Sequence, residues 1–293
     1  MQNDLIDLHT HSTCSDGSDA PGQLIRLAAQ AGARAIALTD HDTIDGLAEA
    51  RQAAAREGIE FINGIEVSAE YSPGTMHILG YYIDPQSETL AAQLEMLLNA
   101  RDRRNPEIAS RLQSLGVEID YSEVEEIAGG EVVGRPHFAR LLLQKGYVES
   151  IQNAFDRYLA KGAAAYVEKA RLVPQDAIDL IHKAGGAAVL AHPYQLKCKS
   201  QEEADAVFDQ LAALGLDGVE AVYSRHSPQD RERYASMATS RGMIVTGGSD
   251  YHGTYKPDIR LVTGKGDLSV SYSLLDGIKE RARAAAISRR SGD

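Results

Sequence analysis

Apolar positions along the chain follow two rhythms that alternate. Short runs of alternating or continuous apolar residues read as strands: IDLHTH from Ile6, AIALTDHD from Ala35 and FINGIEVSAE from Phe61. Between them, residues 21–31 and 43–57 repeat apolar positions at helical spacing. The rhythm resumes after the middle of the chain with a helix beginning near Pro174, then AAVLAHP, a helix over about 202–214, GVEAVYS, a helix over about 228–241, and MIVTGGSDYH. Repeated βα units predict a parallel sheet, here closed into a barrel.

Residues from about 88 to 163 break the rhythm, with helical periodicity and no convincing strand, as in LAAQLEMLLNARDRRNPEIASRLQSL and SIQNAFDRYLAKG. The expected organisation is therefore one α/β barrel, residues 1–87 and 164–293, carrying a helical insertion, residues 88–163, that contributes to the substrate pocket. The segment after Ala286, ISRRSGD, is polar and expected to be loose at its end.

Composition narrows the classes without choosing among them. Charged residues at 25% and hydrophobic residues at 43% suit a water-soluble globular chain, and no window reads as a membrane span. The amino terminus lacks a basic region and long apolar stretch, and Cys14 and Cys198 give no disulfide framework, so a cytoplasmic location is expected. A formal net charge of -12 argues against the basic stripe that tracks duplex DNA. A nucleic-acid substrate would enter by its end, while acidic residues around a pocket would hold cations that reverse the local sign.

The chemistry concentrates at strand ends. His9 and His11 are two apart, so on a strand they share a face, and Asp7 shares it too. By itself the pair equally suits two ordinary histidines. Asp16 then follows in a turn beside Gly17, His41 ends the next predicted strand, Glu66 sits in Gly-Ile-Glu-Val, and later strands end at His192 and at Asp250 and His252. The C-terminal rim of an α/β barrel is where catalytic side chains converge. Six of the nine histidines, with His77 as the sixth, belong to this series. With Asp16, Glu66 and Asp250 they make a set too large for one ion and suited to two or three sharing a carboxylate. Imidazole and carboxylate suit manganese, iron or zinc better than magnesium or calcium. Manganese is the expected ion.

HTHSTCSDGS, LTDHDT, GIEVS, LAHP and GGSDYHG resemble the ordered motifs of the PHP (polymerase and histidinol phosphatase) phosphoesterases across nearly the whole chain. The resemblance implies a distorted TIM-like (βα)7 barrel and a trinuclear site. His9, His11, Glu66 and Asp250 would surround one ion, Asp16, His41 and His252 a second, and Glu66, His77 and His192 a third, with Glu66 as the bridge. His77 lies at the start of a strand in GTMHILGYY, so its place rests on the resemblance rather than on strand-end logic.

Gly134-Arg135-Pro136-His137 is a second constellation, with Pro136 read as the first position of a helix. A helix start offers free N–H groups and Arg135 a bidentate donor, which suits a phosphate, although a plain helix start with a surface arginine fits as well. His137, Arg103, Arg104 and Lys161 are further candidates to face a substrate, against the ordinary reading of charged helix positions as a solvated face. Arg101 belongs to the same run. His182 reads as an exposed helix histidine, and Tyr223 and His226 as pocket-lining or packing residues.

Within the family, the likeness is to the bacterial group that hydrolyses 3′,5′-nucleoside bisphosphates or trims RNA from its 5′ end. A metal-activated hydroxide would then be the nucleophile, with no protein nucleophile assigned, and a nucleotide or short RNA 5′ end the substrate. Histidinol-phosphate phosphatase, another small-molecule phosphatase and a non-catalytic metal-binding module are the alternatives.

Overall fold

The computed structural model describes residues 4–129 and 133–291. The chain divides into two compact units, Met1–Gln93 with Arg171–Asp293, and Leu94–Ala170. The first boundary falls inside a helix that begins at Glu88, and the second lies seven residues past the expected 163.

The larger unit is a seven-stranded sheet in simple chain order. Its strands are β1 (Ile6–Asp7), β2 (Ala35–Leu38), β3 (Glu60–Ala69), β4 (Met76–Tyr81), β5 (Ala187–Leu190), β6 (Gly218–Tyr223) and β7 (Ile244–Gly248). The helices α1 (Pro21–Gln30) and α2 (Leu47–Glu57) follow β1 and β2. Beyond the break come α7 (Pro174–Lys183), α8 (Gln201–Ala213) and α9 (Pro228–Thr239), then a long α10 (Leu274–Ser291). The ring nearly closes where the segment after β7 meets the segment after β1: the Asp250 N–H donates to His9 O at 2.8 Å, and Thr10 bridges Tyr251 in parallel.

The sheet departs from the all-parallel expectation at one strand. β4 runs antiparallel to both β3 and β5, with Ser68 opposite His77 and Ile78 opposite Leu190. A short return after Ala69 explains this, because antiparallel neighbours need only a hairpin whereas parallel ones need a crossover. The pairs β1–β2, β2–β3, β5–β6 and β6–β7 are parallel.

Alternation along the strands buries Ile6, Leu8, Ala35, Ala37, Ile62, Leu79, Tyr81, Ala187 and Val189 in one cluster with Leu275, Ile278 and Ala282 of α10. Each fully buried leucine or isoleucine contributes about 1.5–3 kcal/mol relative to exposure. The polar tail expected to be loose after Ala286 is instead part of α10, which runs to Ser291 and is held in that cluster by Leu275, Ile278 and Ala282.

The smaller unit holds the rest of α3 (Glu88–Ser114), α4 (Tyr121–Ala128), α5 (Arg135–Gln144) and α6 (Ile151–Ala154), the last continued by a π-helical turn, Phe155–Leu159. It has its own core, built on Ile108, Leu112, Val124, Phe138, Leu142 and Leu159. α5 begins one residue before the expected position, so that Pro136 stands second rather than first.

Candidate metal centre

β1 ends at Asp7, and the chain stays extended enough for His9 and His11 to enter the same buried space. Asp7 does not join them. Its carboxylate accepts the backbone N–H groups of Ser249 and Val262, each at 2.8 Å, and so ties β1 to the segment after β7. Gly248 is needed at that junction, because a Cβ there would stand 2.4 Å from His9 Cβ and 2.5 Å from the His9 nitrogen.

Glu66, buried in β3, is the centre of the arrangement. Its Oε2 lies 3.3 Å from His9 Nε2, 3.2 Å from His11 Nε2 and 3.0 Å from His41 Nδ1. Its Oε1 lies 2.9 Å from both His77 Nδ1 and His192 Nε2. His77 reaches it because β4 runs backwards, which brings a strand start to the rim where its neighbours have their ends. His192 and Asp250 leave β5 and β7 with φ of 28° and 58°, a left-handed turn that costs an ordinary residue roughly 1–2 kcal/mol and swings each side chain inward.

The structure thus brings all nine expected residues together. Their ligand atoms gather in four overlapping groups, His11 with Asp16, His41 and His252; His9 with Glu66 and His192; His9 with His11 and Asp250; and His41 with Glu66 and His77. Asp16, whose side chain is 50% exposed, lies 3.3 Å from His252, 3.5 Å from His11 and 3.7 Å from His41.

Two observations test whether these residues fit cations. His9 Nε2, His11 Nε2, His41 Nδ1 and His192 Nδ1 are buried without a hydrogen-bond partner, and the first three crowd one carboxylate oxygen without bonding to it. Buried nitrogens are seldom left so unless something else satisfies them. The electrostatics agree. Burial would raise Glu66, yet the imidazoles of His41, His77 and His9 hold it well below the usual carboxylate range. Burial would lower His11, but Asp250 and Glu66 push it up to about 9, while burial prevails at His41 and pulls it down to about 3. Glu66 is thus held ionised beside a neutral His41, the forms in which a carboxylate and an imidazole can each hold a cation. The residues fit divalent ions.

Around them stands a ring of which sequence reasoning named only Tyr223, as a residue that lines the pocket or packs. Asp40 accepts from Ser12 N–H and from the hydroxyls of Ser12 and Ser15, fixing the loop between His11 and Asp16. Asp42 holds Ser68. Glu220 grips His9, and Lys256 and Tyr223 grip Asp250. Glu220 carried a signal, being a carboxylate inside the apolar run GVEAVY. His182 is half-buried and paired with Asp217 at 2.8 Å rather than exposed.

The other expected substrate residues belong to the helical unit. Arg135 donates to Leu159 O at 3.1 Å and lies 5.4 Å over the Tyr166 ring. His137 Nδ1 accepts the Gly134 N–H at 3.0 Å, capping its own helix. Arg104 is buried on Asn105, while Arg103 and Lys161 are exposed. Among the described residues no helix is long and apolar enough to cross a membrane.

A nearly closed seven-stranded α/β barrel with a His, Asp and Glu cluster at one rim defines a metal-site barrel. The chain belongs to the PHP domain family, which it matches over residues 7–218. It is 38% identical to the 3′,5′-nucleoside bisphosphate phosphatase of Chromobacterium violaceum, over 84% of this chain and 87% of that protein. It is 34% identical to the 5′-3′ exoribonuclease Rnm of Escherichia coli, over 85% of each. A crystal structure described as a metal-dependent phosphoesterase from Bifidobacterium adolescentis superposes with a TM-score of 0.79 at 29% identity, covering 94% of this chain and 96% of that one.

Proposed function

We propose that this chain is a metal-dependent phosphoric ester hydrolase that removes the 3′-phosphate of nucleoside 3′,5′-bisphosphates and trims RNA from its 5′ end. The observation that carries the reading is Glu66, one carboxylate within 3.3 Å of five imidazole nitrogens. His9, His11, Asp16, His41, Glu66, His77, His192, Asp250 and His252 would hold two or three divalent ions, with manganese expected and iron or zinc as alternatives. Bound there, such ions supply Lewis acidity toward a phosphoryl group and a water acidic enough to deprotonate near neutral pH.

The chain's own residues hold that site in shape. Glu66 bridges the two halves of the histidine set, and Asp250, turned by Tyr223 and Lys256, offers its Oδ1. Asp16 stands at the exposed side, where a substrate arrives. Arg135, His137, Arg103, Arg104 and Lys161 of the helical unit are proposed to hold the second phosphate or the RNA backbone. The likeness to a bisphosphate phosphatase and an exoribonuclease supports this choice of substrate. The two unpaired cysteines fit a cytoplasmic location.

The test is phosphate release by manganese-loaded protein from the adenosine bisphosphate pAp, compared with AMP, histidinol phosphate and a 5′-phosphorylated oligoribonucleotide. Turnover of pAp that falls in Arg135→Ala is expected. Preference for histidinol phosphate moves the assignment to small-molecule phosphatases, and metal binding without turnover on any ester leaves a non-catalytic module.

A further inference from the structure

β6 supplies none of the nine clustered residues, yet two of its side chains end on them. Glu220 is fully buried; its Oε1 accepts from His9 Nδ1 at 2.9 Å and its Oε2 from the His192 N–H at 2.8 Å. The Tyr223 hydroxyl donates to Asp250 Oδ2 at 2.7 Å. Positions 220 and 223 of a regular strand point to opposite faces.

The pairing of β6 with β7 removes that conflict. Glu220 stands opposite Thr246 and Val222 opposite Gly247, so two steps along β6 match one along β7 and Ala221 is an extra residue. Such a bulge, uncommon between parallel strands, resets the alternation and re-aims side chains. It is supported on both sides. The Ala221 carbonyl accepts from buried His226 Nδ1 at 2.9 Å. Across the bulge Gly247 leaves room, since a Cβ there would stand 2.5 Å from Val222 O.

We propose that Glu220 and Tyr223 are positioning residues of the metal centre, aligned on it by the β6 bulge. The inference rests on the metal reading of the cluster and extends it to β6. Glu220 fixes His9 with its proton on Nδ1, which leaves the Nε2 lone pair facing Glu66 and Asp250 at 3.3 and 3.7 Å. The same carboxylate anchors the backbone at His192, so one side chain orients residues following two different strands. Tyr223 occupies Asp250 Oδ2, so that Oδ1 faces His11 and His252 at 3.4 and 3.3 Å. Among the described residues the ion-pair partner of Glu220 is His9 alone, and a buried carboxylate so placed makes His9 a more basic ligand.

The experiment uses the full chain stripped of metal, as parent, Glu220→Gln and Tyr223→Phe. Mn2+ and Zn2+ are titrated in competition with a chelating dye, and the unfolding midpoint of each apo protein is measured alongside. Affinity about 10–100-fold weaker in Glu220→Gln is expected, with a smaller loss in Tyr223→Phe and apo midpoints close to the parent's. A merely structural role lowers the apo midpoint and leaves affinity alone. Parent and both variants binding metal equally overturns the positioning roles only, whereas a parent that binds neither ion overturns the metal reading with them.

Discussion

At the scale of single residues, the centre depends on side chains that do one thing each. Glu66 gathers five imidazoles with two oxygens, and Glu66→Gln keeps its volume while removing its charge. Loss of metal affinity greater than the roughly 10–100-fold typical of an outer partner is expected, read by dye competition, because on the proposed reading this residue would hold the ion itself. Gly248 acts by having no side chain. Gly248→Ala places a methyl 2.4 Å from His9 Cβ, against the backbone of that strand rather than a side chain that can swing away. Overpacking of this kind costs about 1–3 kcal/mol. Urea unfolding of the apo protein measures it, and a midpoint equal to the parent's would show that β1 yields more easily than the contact implies.

At the scale of elements, β6 and β4 show what was readable in the sequence and what was not. His41, His192 and Asp250 were legible because each lies just past an apolar run, and Glu66 because it is a carboxylate inside one. His77 was not legible from pattern, since its strand is entered from the site rather than left toward it, and only antiparallel pairing makes a strand start equivalent to a strand end. Glu220 showed only as a carboxylate inside an apolar run, beside a bulge that no period of two reports, and Asp40 and Asp42, which flank His41, fasten loops. α10 escaped notice because its apolar positions, Leu275, Ile278 and Ala282, are sparse among charged ones. The bulge yields its own prediction. His226→Ala removes a hydrogen bond that the buried Ala221 carbonyl accepts, which costs about 0.5–1.5 kcal/mol. The expected loss, measured by urea unfolding, is accompanied by weaker metal binding, because Tyr223 follows the bulge. Weaker folding with unchanged affinity would separate the bulge from the centre.

At the scale of the whole molecule, a chain of net charge -12 concentrates several acidic groups around one pocket, and cations offset their repulsion. Ions that bind the folded state stabilise it by mass action, about 2.7 kcal/mol at a hundredfold excess over the dissociation constant. For a chain of 293 residues that is a rise of roughly 4–5 °C in the unfolding midpoint, reversed by a chelator. The two separate cores let this gain be located. Phe138 is fully buried in the core of the helical unit, and Phe138→Ala costs about 3–5 kcal/mol there. All nine clustered residues belong to the other unit. The expected result is a variant that binds manganese as the parent does and gains the same increment on binding, while its KM for pAp rises if α5 and Arg135 hold the second phosphate. Calorimetry of apo and loaded protein with a parallel KM measurement decides it. An increment lost together with the helical core would mean that the barrel's metal site depends on that unit, and an unchanged KM would remove the helical unit from substrate binding.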